Sequence, residues 1–313
     1  MLKVLRNFVI GLLLGTIVCA LVLPYALFEK NPGDYYAHII NGHLRQNQNY
    51  KQLARFFEDD GKHLPILTYR HFVDEDAEGN PLGDGITLSQ FETQMQTLSD
   101  IGCTFITPAT LLDAIQNGTD LPKRAVLITF DDCSEDIYTK AYPILQKYEI
   151  NATVNLIGYY TEYRANYDTP LLSWKEVREM KASGLIDFQS ETYYSYVPQF
   201  SVDGTTIHPF VDTQQDESQE DYVARVTKDL LMNNIKLLAE TGEMPIALAY
   251  PHGEYNDSTT AIMQSVGLSL GFESATNVCL DLSEAVDPYH LPRFEMDQNF
   301  EKMKEFIVYI TSY

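Results

Sequence analysis

From Leu64 onward, short apolar runs of strand length alternate with longer stretches of helical period, and this alternation restricts the chain to few architectures. Leu64–Tyr69, Phe105–Thr107, Ala125–Phe130, Ala152–Ile157, Ile186–Phe188, Ile246–Tyr250 and Leu268–Phe272 read as strands. Between them, Phe91, Met95 and Leu98 share one helix face and predict a helix from near Ser89 to Gly102. Pro108 opens a second helix at its first turn, and Tyr142, Ile144, Leu145 and Tyr148 mark a third. Ser173 reads as the N-cap of Trp174–Ala182, with Glu176 placed to close a capping box. After an irregular stretch from Tyr193 to Glu217, Tyr222, Val226 and Leu230 stripe a long helix, with Leu231, Ile235 and Leu238 beside them. A helix ending at Val266 and a final one from Asn299 complete the pattern. Strands alternating with helices predict an α/β fold with a mainly parallel sheet, and about seven strands suit a barrel-like (β/α) domain over residues 63–313.

The N-terminus is a separate problem. Lys3 and Arg6 precede a stretch that is uncharged from Phe8 to Phe28, long enough as a helix to cross a hydrocarbon core of about 30 Å. It lacks a clean small-residue cleavage site, so residues 1–30 are expected to form an uncleaved transmembrane anchor rather than a removed signal. Because the basic residues come first, a single-pass protein with its C-terminal domain outside the cell membrane is expected. Residues 31–62 read as a linker with a short helix around Leu53, Phe56 and Phe57. The 44 acids against 22 basic residues give a formal net charge of −22, which excludes a nucleic-acid grip and favours a neutral or cationic ligand. Beyond the anchor lie Cys103, Cys133 and Cys279, which cannot all pair within one chain.

Parallel sheets place their chemistry at the C-terminal strand ends, and Asp131 and Asp132 stand at such an end. Adjacent strand residues point to opposite faces, so both acids serve one site only if the strand stops and the chain turns there. As chemistry, the pair offers a general base and a metal ligand; as structure, acids before Ser134 and Glu135 suit a helix start.

The segments Pro65–Tyr69, Leu127–Asp132, Ala141–Leu145, Ala152–Val154, Trp174–Val177, Ser183–Leu185 and Ala249–Gly253, in this order, resemble the polysaccharide deacetylases of the NodB-homology group, carbohydrate esterase family 4. The resemblance implies a distorted (β/α) barrel that removes acetyl groups from cell-envelope glycans, with a divalent metal, commonly zinc, held by one Asp and two His. It makes Asp131 the base and Asp132 the metal-ligating acid, and places Pro251 and His252 in the segment that helps hold the oxyanion. It fails at the ligand histidines. Ser190-Glu191-Thr192-Tyr193-Tyr194-Ser195-Tyr196 carries Glu191 at the first ligand position, and neither Ser195 nor Tyr196 is an imidazole. Arg70 stands where one branch has its acid His, with His71 next to it, and Cys133 replaces the usual Gly.

Asp132 and Glu191 alone are too few protein ligands for a catalytic zinc, so the site is expected to hold no metal. The alternative is a rebuilt site in which His71, His208, His252 or Asp131 joins Glu191. His208, in an irregular loop beside Pro209, is expected to be solvent-exposed. Arg70 is expected to pair with Asp131 or Asp132 and so supply the positive charge that a metal would have brought. Tyr159, Tyr160, Tyr163, Tyr167, Tyr193, Tyr194 and Tyr196 supply aromatic faces suited to sugar rings or to packing loops. The expected function is therefore an extracytoplasmic, catalytically impaired deacetylase-like domain that binds an N-acetylated envelope glycan. An active metal-dependent N-deacetylase and a purely structural or interaction protein are the alternatives.

Overall fold

A computed structural model describes residues 61–77, 81–100, 102–201, 203–275 and 278–296. The expected anchor, the linker helix and the helix from Asn299 lie outside the described residues. Seven strands form the barrel: β1 (Ile66–Tyr69), β2 (Ala125–Phe130), β3 (Ala152–Leu156), β4 (Ile186–Ser190), β5 (Ala247–Ala249), β6 (Leu270–Ala275) and β7 (Leu291–Glu295). Each pairs in parallel with its sequence neighbour, and β7 closes the ring on β1 through Phe294 opposite Leu67. A short strand, Thr104–Phe105, adds to the start of β2 outside the ring. The seven-strand parallel barrel expected from the pattern is therefore present, with two changes of membership. Thr104–Phe105 is not a stave, and β7, where the sequence pattern marks no element, is one.

The helices follow local signals. Helix α1 spans Leu88–Asp100 and buries Phe91, Met95 and Leu98. Helix α2 (Pro108–Asn117) starts at Pro108 behind the N-cap Thr107, and its C-cap Gly118 adopts φ 68°, a conformation favourable to glycine. A π-helical turn at Ile137–Ala141 leads into α3 (Tyr142–Lys147), and a short α4 (Gly158–Glu162) follows β3. Helix α5 (Trp174–Ala182) carries the reciprocal Ser173–Glu176 capping box that the sequence predicts. The long α6 (Gln219–Thr241) and α7 (Asp257–Ser265) cover β5 through Tyr222, Val226, Leu230, Ile262 and Met263. Leu231, Ile235 and Leu238 of α6 face outward and are exposed. The stretch read as irregular contains a small hairpin, Gln199–Phe200 with Thr206–Ile207.

Alternation along each strand sorts the core. One set of positions (Val126, Ile128 and Phe130 of β2, Val154 and Leu156 of β3, Ile186 and Phe188 of β4) packs against α1, α3 and α5. Ile66, Leu127, Ala247, Ala249, Leu270, Phe272 and Leu291 meet in a second cluster that draws on five staves. Two residues on along those strands stand Thr68, Thr129 and Arg293, with Arg293 donating to both hydroxyls; another two on come Arg70, Asp131 and Glu295. The barrel interior thus passes from hydrocarbon at its base to hydroxyls and then to charges at its C-terminal mouth.

Helix α6 is pinned to that mouth by the fully buried Asn233. Its Nδ2 donates to the Leu156 carbonyl (2.9 Å) and to Ser190 Oγ (2.8 Å), while its Oδ1 accepts from the Gly158 backbone N–H (3.0 Å). A Cβ at residue 158 would collide with Asn233 Oδ1 and the Tyr193 ring, which is why glycine stands there. Replacing Asn233 by Ala removes three buried hydrogen bonds, leaving the Gly158 N–H, the Leu156 carbonyl and Ser190 Oγ one other contact each, and is expected to cost about 2–4 kcal/mol. Urea unfolding of Asn233→Ala checks this, and a loss below about 0.5 kcal/mol would show that the contact is not a fixing point.

Candidate active site at the barrel mouth

Strand β2 ends at Phe130, and the backbone then turns sharply: Asp132 and Cys133 take φ 66° and 56°. Two successive residues in the left-handed region are costly without glycine. The turn is held by Cys133, whose buried Sγ accepts the Ile157 backbone N–H at 2.9 Å and whose carbonyl accepts from Leu172 N. Burial, reinforced by the negative charge of Glu191, pushes the Cys133 thiol well up, so it stays protonated. This turn meets the condition the sequence set for the two aspartates, and both carboxylates lie within 4.0 Å of the same Arg70 guanidinium. The helix-start reading of these acids does not apply, because the next helical turn begins at Ile137.

Asp131 is buried and fully committed. Its Oδ1 accepts from Asn155 Nδ2 (2.7 Å) and Arg293 Nη1 (3.0 Å), and its Oδ2 from Arg293 Nη2 (2.8 Å). Burial alone would raise its pKa, but Arg293 in the first place, then Arg70 and Asn155, outweigh it and hold the carboxyl below the ordinary value. Arg293 is only 1% exposed and also donates to Thr68, Thr129 and the Glu273 carbonyl. The sequence reading missed it together with its strand. Leu291-Pro292-Arg293-Phe294-Glu295 has neither an apolar run nor a polar–apolar alternation, because its inward positions are charged and a proline sits second. The usable signal was the parity shared with Leu127-Thr129-Asp131.

Asp132 faces the mouth, with its Oδ1 accepting from the Tyr196 hydroxyl at 2.8 Å. Its Oδ2 lies 3.8 Å from both Arg70 Nε and His71 Nε2, and its backbone N–H donates to Glu191 Oε2 at 3.1 Å. Arg70 Nη1 pairs closely with Glu295, and Arg70 Nε stands 4.0 Å from Asp131 Oδ2. Burial alone would lower the Arg70 pKa; Asp131, Glu295, Asp132 and Glu191 more than reverse it, so Arg70 is a permanent cation. Glu191 at the end of β4 is buried, and burial, followed by the charges of Asp131 and Asp132, holds its carboxyl well above the usual range. Burial likewise raises the Tyr196 phenol, with Asp132 and Glu191 adding to it, and so keeps it a proton donor.

The structure separates the two residues left open at the second ligand position. Tyr196 reaches Asp132, whereas the Ser195 N–H points to Asp229 of α6. Asp229 accepts from three successive backbone N–H groups, those of Tyr193 (2.9 Å), Tyr194 (2.8 Å) and Ser195 (3.0 Å). Pro251 is buried, while His252 is exposed, with φ 56°, its Nε2 3.0 Å from the Tyr196 carbonyl oxygen and its ring on the Tyr196 ring at 4.5 Å. His208 is not the solvent-exposed residue the sequence suggested. It is half-buried, with Nδ1 2.6 Å from Glu254 and its ring 5.1 Å from that of His252, because the loop carrying it folds back over the mouth. His71 is exposed.

These donors do not fit a resident divalent metal. No group of three His, Cys, Asp or Glu side chains among the described residues is placed to hold one. The oxygens that Asp132 and Glu191 would offer accept from Tyr196 and from the Asp132 backbone, and a guanidinium faces Asp132 where a cation would bind. Cys103, Cys133 and Cys279 are all free thiols.

Comparison with known proteins agrees with this architecture. The polysaccharide deacetylase family model matches residues 118–271. Over 219 residues, 70% of each chain, the sequence is 29% identical to the poly-beta-1,6-N-acetyl-D-glucosamine N-deacetylase of Staphylococcus aureus. The Streptococcus pyogenes deacetylase PplD, solved with acetate, superposes with a TM-score of 0.61 at 26% identity, covering 78% of this chain and 98% of its own. A de-N-acetylase from Aggregatibacter actinomycetemcomitans shares the fold, with a TM-score of 0.66 at 21% identity over 78% of this chain and 99% of its own. Residues 118–271 are thus a polysaccharide deacetylase domain by their match to the family model.

The buried Arg293–Asp131 pair generates the clearest energetic expectation. Arg293→Met strands an ionised Asp131 and is expected to cost about 3–5 kcal/mol, whereas Arg293→Met with Asp131→Asn recovers a large part of that loss. Because the Asp131 pKa is depressed on folding, its stabilisation is complete above the unfolded carboxylate value and is lost as pH falls through the folded one. Wild type should therefore lose stability on acidification more steeply than the double variant. Urea midpoints measured at successive acid pH values check both points, and equal stability of the single and double variants would refute the coupling.

Proposed function

We propose that this chain is a glycan-binding member of its family, taking an N-acetylglucosamine polymer at the barrel mouth without hydrolysing its acetyl groups at the rate of a metal-dependent enzyme. The observation that carries this reading is the position of Arg70: a permanent cation within 4.0 Å of both aspartates and paired with Glu295, with Tyr196 holding Asp132 from the other side. The polymer class comes from the relatives, named for poly-beta-1,6-N-acetyl-D-glucosamine. The acidic chain suits a neutral or partly cationic polymer of this kind. The basic start followed by the uncharged Phe8–Phe28 stretch supports a domain tethered at the outer face of the cell membrane, where such glycans lie.

A second reading, an active N-deacetylase with a rebuilt site, draws on the retention of both Asp131 and Asp132 at the mouth and on His71 lying 3.8 Å from Asp132. Metal stoichiometry separates the two. After equilibration with zinc, cobalt or manganese and removal of excess, the full chain should retain well under one metal per molecule, no more than Asp132→Ala, and release no acetate from N-acetylated oligomers. Near-stoichiometric metal that is lost in Asp132→Ala, with acetate release, would overturn the first reading in favour of the second.

The same reading makes a constructive prediction. Introducing Arg70→His, Glu191→His and Tyr196→His together removes the resident cation and supplies three imidazoles around Asp132. The triple variant should gain a metal site of about micromolar affinity or tighter, at least tenfold above wild type, read by equilibrium dialysis with zinc.

A further inference from the structure

Beside the mouth lies a second cavity, of about 330 Å³, which none of the metal-site or base positions lines. One wall is aromatic: Tyr159 from α4, and Tyr193 and Tyr194 from the loop after β4. The Tyr159 ring lies 4.6 Å from that of Tyr194 at 70°, and Tyr194 is 42% exposed, so a ring face remains open. Helix α6 forms the facing wall with Lys228 and Met232, and the hairpin region contributes Gln199 and Gln214.

The chemistry of the lining is selective. Asp229, the one carboxylate in the wall, spends both oxygens on the three backbone N–H groups of the Tyr193–Ser195 loop. Arg225 is paired with Glu217 and with the carbonyls of Pro209 and Asp212. Lys228 makes no ion pair among the described residues and is exposed, so the free charge on this wall is positive although the chain is strongly acidic. Open tyrosine faces and a thioether suit the apolar face and acetyl methyl of a sugar unit, and the Gln199 and Gln214 amides suit its hydroxyl and carbonyl groups. A free ammonium opposes a protonated amine but not a neutral amide. The volume falls at the small end of ligand pockets, roughly 300–1,000 Å³, and the concave shape suits one or two sugar units rather than a flat surface.

We infer that this cavity is a subsite for a neutral N-acetylated hexosamine unit of the glycan, distinct from the two-aspartate centre and selective against deacetylated units. The inference rests on the glycan-binding reading above. The cavity adjoins the mouth through the Tyr193–Tyr196 loop, whose last residue touches Asp132 and whose first two line the cavity. A single bound chain can therefore occupy both.

The test is calorimetric titration of the full chain with β-1,6-linked N-acetylglucosamine oligomers, short and long, fully acetylated or partly deacetylated. Wild type should bind long acetylated oligomers more tightly than short ones. Tyr194→Ala should flatten that length dependence, with a loss of roughly three- to tenfold confined to long oligomers. Lys228→Glu, at an exposed position, should narrow or reverse the preference for acetylated over deacetylated oligomers. Unchanged length dependence in Tyr194→Ala together with unchanged preference in Lys228→Glu would overturn the subsite while leaving glycan binding at the mouth intact. No binding of any oligomer by wild type would overturn the glycan reading itself.

Discussion

The buried ion pair between Arg293 and Asp131 ties four staves of the barrel together. Arg293 enters from β7, meets the threonine hydroxyls of β1 and β2, and ends on an aspartate that β3 also reaches through Asn155. A charge pair at this depth is expensive to desolvate, and its net contribution to stability is small. Breaking half of it is what costs, so the pair acts as a specificity device. A β7 shifted by one residue would turn Arg293 to the opposite face and leave Asp131 without its main partner. Strand register, barrel closure and the ionised state of Asp131 are therefore one constraint seen from three sides.

The same arithmetic governs the mouth. Four carboxyl groups, those of Asp131, Asp132, Glu191 and Glu295, surround Arg70, and such a set cannot all ionise without compensating charge. Arg293 and Arg70 supply two positive charges, and the raised pKa of Glu191 favours its neutral form. With Glu191 neutral the set carries one formal negative charge. Glu191 and Tyr196 keep that residual charge low, because a neutral carboxyl and a phenol satisfy hydrogen bonds without adding charge.

The sequence made the alternation of strands and helices, the capping box, the proline-initiated helix and the paired aspartates legible, because each follows from local propensity or short-range hydrogen bonding. It hid what depends on the interior of the barrel. β7 carries its charged residues inward, so hydrophobic periodicity had nothing to detect, and the two residues that anchor the network from that side went unseen. Helix α6 misled in two ways: Leu231, Ile235 and Leu238 look like core and are exposed, whereas Asp229, Asn233 and Asn234 look like surface and are buried. Asp229 and Asn233 mark places where the helix is hydrogen-bonded to irregular backbone, which only the partner loops identify. The Asn234 side chain, by contrast, makes no hydrogen bond among the described residues. The distinction between Ser195 and Tyr196 was hidden for the same reason, since it depends on which of the two the Asp229 clamp takes.

That clamp explains how side chains of this chain hold the loops at the barrel mouth. In a site where the metal holds the strand-end loops together, losing its ligands releases those loops. Here the loop after β4 is fixed by three backbone N–H groups on Asp229, and the ends of β3 and β4 by Asn233, all from a helix outside the barrel. The turn after β2 is fixed by the Cys133 sulfur. None of these contacts passes through Asp132, Glu191 or Tyr196. The loops of the mouth thus have fixing points outside the groups that would do chemistry in it, and the Asp132–Glu191 and Tyr196–Asp132 contacts add to them.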